Sequence, residues 1–195
     1  MIKRKKNLIN SIILPHDSVL DIGCATGKLY DDISNVKYTW LEYNEEMIKI
    51  CKDKGLNVVK HDLNLWTLPF QDESFNVIYC SHVIEHFSTT NQIKLFQEFN
   101  RVLKIDGKII IFTPTWYHYT FIDDETHVRW HSHISLSAMA MNTWFNVIEC
   151  KYSFTRKFPQ SLQNFFRWYP TPFYLTEVYL VAEKLIKKDF SKIYK

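Results

Sequence analysis

Short apolar runs that end at or near an acidic residue recur through the first third of the chain. They lie at 19–22 with Asp21, at 38–42 with Glu42, and at 56–63 with Asp62. Their length and apolar character are typical of buried strands. Apolar positions at helical spacing follow at 29–33, and Asn44 followed by two acids predicts the start of a second helix. Strands that alternate with helices predict an α/β fold.

A turn of small residues follows the first of these strands. It contains Gly23, Ala25 and Gly27, which let a ligand approach the backbone. A dinucleotide fingerprint G-x-G-x-x-G would need glycine at Ala25 and Lys28. A phosphate-binding loop would need one more residue before the second glycine, and Ser or Thr in place of Leu29. The spacing therefore disfavours both an NAD site and an ATP site.

The acid at the end of the second run has the spacing of a nucleoside site. Glu42 follows Asp21 by about 21 residues, and in a βαβ unit an acid at this distance accepts hydrogen bonds from ribose hydroxyls. A carboxylate suits this role because its two oxygens can accept from both hydroxyls of a vicinal diol. We therefore expect a nucleoside at the edge where these strands end.

Several motifs in a fixed order carry a resemblance to a known family. The turn matches D-x-G-x-G-x-G with Ala25 in the middle glycine position, and 68–78 has the pattern LPFxxxSF-x-V-I. The segment 99–112 is similar to a helix, a turn and a fifth strand, with Asp106-Gly107 supplying the turn where Pro-Gly-Gly is usual. Together these motifs resemble class I S-adenosylmethionine-dependent methyltransferases, in particular small-molecule families related to quinone-biosynthesis enzymes.

The resemblance implies S-adenosylmethionine as the cofactor and assigns residues to it. Asp62 would hold the adenine amine with Leu63 beside the ring, and Glu42 would lie at the ribose with Tyr43 next to it. The other expected cofactor-binding residues are Asp21, Gly23, Cys24, Ala25 and Gly27 in the turn, and Ser81 and His82 after the fourth strand.

The resemblance also implies the architecture. We expect a Rossmann-like, mostly parallel sheet of seven strands with helices on both faces and an antiparallel last strand, which the alternating pattern at 176–184 supplies. A length of 195 residues with 46% hydrophobic content suits one domain over 1–195. Within it we expect a basic N-terminal helix at 1–17, a substrate loop at 113–134 and an aromatic, basic insertion at 155–175. Ser135 is expected to cap the helix after the loop.

Composition and charge favour a cytoplasmic protein with two basic ends. The four cysteines lack metal or redox spacing, as is usual in a reducing cytosol, and no apolar run approaches the ~20 residues of a membrane span. Lys3–Lys6 precede a short apolar stretch that Asn10 and Ser11 interrupt, which favours an amphipathic helix over a signal peptide. The basic ends favour peripheral contact with a membrane surface or another anionic partner, with simple solvation of lysines as the alternative.

Histidines are the candidates for acid–base chemistry. Methyl transfer is an in-line displacement, and a hydroxyl acceptor also has to lose its proton. His86, shortly after the fourth strand, is the candidate base because the ordinary pKa of histidine lies near neutral pH; a packing role is the alternative. His127 in the substrate loop is the second catalytic candidate, and it could contact an acceptor oxygen or phosphate together with Arg129.

The string from His82 to His86 has the form H-x-x-E-H. As an inverted zinc-protease motif it would need a helix that presents both histidines, whereas here it follows a strand in the middle of the domain. It also resembles the E-x-x-E-H stretch of some quinone O-methyltransferases and small-RNA 2′-hydroxyl methyltransferases, with His82 in place of the first glutamate. That resemblance implies a divalent metal at His82, Glu85 and His86, better suited to zinc or manganese than to magnesium. We favour a site without metal and keep the metal as an alternative.

The predicted function is methyl transfer to a hydroxyl of a small-molecule, glycan or lipid-linked acceptor. Bases interleave with aromatic rings at 154–169, as in stacking platforms for nucleic acid or segments at a lipid interface. Because no RNA-binding signature accompanies them, the lipid-linked acceptor is favoured over an RNA methyltransferase. A domain that binds the cofactor without catalysis is the third alternative, since Ala25 and His82 depart from the family pattern.

Overall fold

The computed structural model describes residues 2–27, 35–65, 67–115, 124–154 and 175–185. The strands in these ranges are β1 Ser18–Ile22, β2 Lys37–Glu42, β3 Val58–Lys60, β4 Phe75–Ser81, β5 Leu103–Pro114, β6 Phe145–Phe154 and β7 Leu175–Lys184. The α-helices are α1 Ile2–Ile12, α2 Glu45–Asp53, α3 Thr89–Val102 and α4 His133–Asn142, and short 3-10 turns lie at Leu63–Leu65 and Ile84–His86.

The strands form one sheet in the order β3-β2-β1-β4-β5-β7-β6. β1 pairs in parallel with both β2 and β4, and β7 pairs antiparallel with both β5 and β6. The prediction of a seven-stranded, mostly parallel sheet with an antiparallel last strand is confirmed. The strand order reverses between β1 and β4, and ligands of open α/β sheets bind at the carboxyl ends of strands at such a reversal.

Helices cover both faces of the sheet, as predicted. Alternate residues of a strand point to opposite faces, so that Ile78 and Cys80 of β4 pack in one cluster and Val77 and Tyr79 pack in the other. The first cluster takes its helical residues from α3 and α4, and the second from α1 and α2. This packing fixes α1 against the sheet and holds its side chains near the strand ends.

Some boundaries differ from the predicted ones. α1 ends at Ile12 rather than near residue 17, because Pro15 follows and disfavours helical backbone before it. Ser132, not Ser135, caps α4: the Ser132 side chain accepts from the Ser135 amide, and the Ser135 side chain accepts from the Ser132 amide. Ser135 is thus the third helical residue of a capping box.

Two predicted segments lie outside the described residues. They are the helix at 29–33 and nearly all of the insertion at 155–175. Among the helices that the structure describes, none is long and apolar enough to cross a membrane.

Candidate functional site

A pocket of about 380 Å³ lies at the carboxyl ends of β1, β2, β3 and β4. It brings together seven residues that the sequence predicted for the site, namely Gly23, Glu42, Tyr43, Asp62, Leu63, His82 and His86. Its wall also contains residues that sequence reasoning missed, including His61, Asn64, Val83 and Phe87. These four directly neighbour predicted residues in the sequence, and that proximity was the only signal available.

Every second residue of the turn after β1 has a left-handed backbone conformation. Gly23 and Gly27 both have φ of 66°, and Ala25 has φ of 46°. A Cβ on Gly23 would lie 2.4 Å from the Val83 side chain, so glycine is required there by contact as well as by conformation. The left-handed backbone of Ala25 costs about 1–3 kcal/mol, but its methyl group is exposed.

The Glu42 carboxylate is held by backbone amides. Its Oε2 accepts from the Ala25 amide at 2.9 Å, and its Oε1 accepts from the Tyr43 and Asn44 amides at 2.8 and 3.0 Å. Asn44 caps α2 by accepting from two amides of the first turn, as predicted. The carboxylate is thus fixed before any ligand binds. Because each oxygen offers about two acceptor sites, those of Oε1 are filled and Oε2 keeps one site for a ribose hydroxyl.

Asp62 and Leu63 also line the pocket, just after the end of β3. Asp62 Oδ1 accepts from the backbone N–H and from the side-chain Nδ2 of Asn64, both at 2.9 Å. The neighbouring His61 amide donates to the Glu42 carbonyl at 3.0 Å, which ties this wall to the end of β2. The arrangement places an acceptor and an apolar side chain beside each other, which suits a polar, flat ring.

Asp21 is buried beneath the turn, with 3% of its surface exposed. Burial, together with the nearby Glu42 charge and against the opposing effect of Lys5, raises the pKa of Asp21 to about 8. At neutral pH most Asp21 carboxyls therefore carry a proton. A cation bound nearby would favour the ionised form and lower this pKa.

Glu85 is fully buried beside the pocket, in the 3-10 turn that follows β4. Its Oε2 accepts from Thr113 at 3.1 Å, whereas its Oε1 has no hydrogen-bond partner among the described residues. His82 Nδ1 and His127 Nε2 lie 3.5 and 3.9 Å from Oε1. The Glu85 carbonyl accepts from the Val128 and Arg129 amides, which anchors the predicted substrate loop to this turn.

His86 and His127 pack against each other, with ring centroids 4.7 Å apart. His86 Nδ1 lies 2.9 Å from Thr126 Oγ1, and this hydroxyl donates its proton to Asp124. Since a hydroxyl has one proton to give, Thr126 accepts from His86, which assigns the His86 proton to Nδ1. In the neutral form of this ring the other nitrogen of His86 is then an acceptor, on a residue that lines the pocket.

His82 has a different environment from the one the H-x-x-E-H string suggests. Its Nε2 lies 2.6 Å from Glu177 Oε1 on β7. Burial would lower the pKa of His82, but the hydrogen bond with Glu177 and the nearby charge of Glu85 outweigh it and raise the pKa to about 9. His82 is therefore a cation at neutral pH and a poor general base. Ser81 accepts a hydrogen bond from Lys5 of α1.

The set of side chains that could hold a metal differs from the string His82, Glu85 and His86. Within the described ranges, ligand atoms of Glu85, His86 and His127 lie within 4.8 Å of one another. The unpartnered Glu85 oxygen and two imidazoles are a donor set that fits zinc or manganese. His82 is drawn instead toward Glu177, because β7 brings that acid to the end of β4.

Comparisons with known proteins agree with the geometry. A family model described as a methyltransferase domain matches residues 20–111. The chain is 37% identical over 99 residues to the "Probable tRNA methyltransferase 9B" of Mus musculus and 30% identical over 99 residues to the "Demethylmenaquinone methyltransferase" of Chlorobaculum parvum. Each match covers about half of this chain (50% and 49%) but only 22% and 40% of those proteins.

The fold is also that of a solved structure. The chain is similar to a SAM dependent methyltransferase from Archaeoglobus fulgidus with a TM-score of 0.76 and 20% identity, over 94% of this chain and 93% of the other. At this identity the likeness concerns the fold.

Proposed function

We propose that this chain is a class I S-adenosylmethionine-dependent methyltransferase, and that it transfers the methyl group of this cofactor to a hydroxyl of a small-molecule, glycan or lipid-linked acceptor. The observation that carries the proposal is the pocket itself. It joins the fixed Glu42 carboxylate, the acceptor Asp62 and the two-glycine turn at the strand reversal of the sheet.

In this proposal each wall of the pocket takes one part of the cofactor. Glu42, with Tyr43 beside it, binds the ribose diol, and Asp62 and Leu63 hold the adenine ring. The turn from Asp21 to Gly27, including Cys24 and Ala25, passes beneath the methionine portion, with Ser81 and His82 at its far end. The positive charges of the cofactor suit the acids around the pocket.

Acceptor activation falls to His86. The protein has to hold the acceptor oxygen about 3 Å from the methyl carbon and take its proton as the bond forms. His86 suits this role because its Nδ1 proton is donated to Thr126, which leaves a ring nitrogen free to accept the acceptor proton. His127 packs against His86 and lies near Asp124 and Glu85. In this proposal it holds the His86 ring in place and orients the acceptor.

A divalent metal at Glu85, His86 and His127 is the alternative way to activate the hydroxyl, and the unpartnered Glu85 oxygen favours it. Such an ion would lower the pKa of a bound hydroxyl. Activity assayed with and without excess chelator separates the two routes: full activity in chelator leaves His86 as the base, and loss that zinc or manganese restores supports the metal.

An RNA methyltransferase is the second candidate function, because one similar protein is named as a probable tRNA methyltransferase. RNA binding that weakens steeply with salt would favour it over a small-molecule acceptor. The surplus of basic residues at the two ends of the sequence would in either case favour anionic partners or a membrane surface.

Two measurements test the main proposal. Calorimetric titration with S-adenosylmethionine shows whether the pocket binds the cofactor. Incubation of cell extracts with methyl-labelled cofactor, followed by mass spectrometry, identifies the labelled acceptor. Binding without any methylated product would favour a domain that has lost catalysis.

A further inference from the structure

Two charged side chains from opposite ends of the chain meet at His82. Lys5 lies on α1 and Glu177 lies on β7, yet both are largely buried at the carboxyl end of β4. Lysine and glutamate are seldom buried unless they are paired, and a buried ion pair is often no better for stability than apolar residues of similar size. Their presence at the pocket therefore calls for a role beyond stability.

Glu177 is the centre of this group. Its Oε1 lies 2.6 Å from His82 Nε2 and 3.6 Å from Lys5 Nζ. Lys5 also donates to Ser81 at 2.9 Å and lies 4.0 Å from the centre of the Phe112 ring. Glu177 thus lies between Lys5 and His82 and contacts both side chains through the same oxygen.

His82 has an unusual backbone that this network supports. Its φ is 57°, in the left-handed region where a residue with a side chain is held only by its surroundings. The His82 amide donates to the Phe112 carbonyl at 2.9 Å, and its ring faces Glu177 and Glu85 on its two nitrogens. The ring position and the backbone kink are thus fixed together.

The kink at His82 is transmitted to the cofactor turn. Val83 follows it, and the Val83 side chain lies so close to Gly23 that a Cβ on that glycine would be 2.4 Å away. His82, Val83 and Gly23 all line the pocket. A shift of His82 would therefore move the wall against which the first glycine of the turn packs.

We propose that Lys5 and Glu177 are positioning residues that hold His82, and through it Val83 and Gly23, in the geometry that binds the cofactor. The inference rests on the proposed S-adenosylmethionine site. It makes α1 and β7 part of that site, although neither contributes a residue to the pocket wall among the described residues.

The test compares S-adenosylmethionine affinity, measured by calorimetry, in the wild type and in Glu177→Gln and Lys5→Met. We expect the affinity to fall about tenfold in each variant, in the usual range of coupling between residues and a binding site. Lys5→Arg keeps the charge and should recover most of the loss. The double variant should lose no more affinity than the single variant that binds the cofactor less tightly, because both residues act through the same contact.

Lys184→Met is the matched control. Lys184 is also largely buried, donates to the Leu103 carbonyl at 2.7 Å and lies 3.7 Å from Glu73, but it occupies the other end of β7. Thermal unfolding of each variant separates lost stability from lost affinity. Unchanged affinity in both test variants, an equal loss in Lys184→Met, or additive losses in the double variant would each overturn the inference. A wild type that does not bind the cofactor would instead overturn the proposed function.

Discussion

Replacing Glu42 with alanine tests the cofactor site most directly. In the proposed complex the acceptor site left on its Oε2 takes a hydrogen bond from one ribose hydroxyl. A hydrogen bond to a charged group contributes about 1.5–3 kcal/mol. At about 1.4 kcal/mol per factor of ten, the affinity for S-adenosylmethionine should fall roughly 10-fold to 150-fold.

Part of that loss would come from the protein rather than from the ligand. Glu42 accepts from the Ala25, Tyr43 and Asn44 amides, so its removal also frees the turn that carries Ala25. Ala25, which has a left-handed backbone, would then lose the hydrogen bond that holds it. We therefore expect the upper part of the range in calorimetric titrations.

Glu45→Ala is the control for Glu42→Ala. It removes the same charge three residues away, from an exposed side chain that pairs with Lys60 outside the pocket wall. Its affinity for the cofactor should equal that of the wild type. If Glu42→Ala also binds normally while its thermal unfolding is unchanged, the ribose role and the reasoning from the fixed carboxylate are both wrong.

Three further predictions concern the same pocket. Because burial raises the pKa of Asp21 to about 8, a cationic cofactor should lower it and release protons on binding near pH 7–8; calorimetry in buffers of different ionisation enthalpy measures this, and Asp21→Asn should abolish it. His86→Asn should lower turnover by about 100-fold to 10,000-fold while cofactor affinity stays within a few-fold, and retained turnover in steady-state assays would make His86 structural. Gly23→Ala should weaken cofactor binding and lower the unfolding temperature, since its Cβ would meet Val83 at 2.4 Å; a normal melting curve would contradict the packing argument.

Local patterns predicted most of the sheet and the cofactor turn. The runs that contain Asp21 and Glu42 became β1 and β2, and the predicted cap Asn44 starts α2. The alternating segment at 176–184 became β7 with the expected antiparallel pairing. Such signals are readable because strand burial, helix capping and glycine turns depend on neighbours within a few residues.

Other features escaped sequence reasoning for physical reasons. The sequence places His82 with Glu85 and His86 in one string, but the backbone kink turns its ring toward Glu177. His127 joins Glu85 and His86 in the candidate metal-ligand group, since the residues that follow it, Val128 and Arg129, are anchored on the Glu85 carbonyl. α4 is capped by Ser132 and not by the predicted Ser135. In a capping box one serine is the cap and the other is the third helical residue, and residue type alone does not tell the two apart.

The sequence by itself determined the fold class, the kind of turn that meets the cofactor and the acids at the strand ends, because each depends on short-range patterning. Only the tertiary structure decided which distant side chains share the site. Lys5 and Glu177 are 172 positions apart, and they meet at His82 because β7 inserts antiparallel beside β5 while α1 packs on the sheet. Strand order and helix docking are set by the whole core, so no local pattern carries that information.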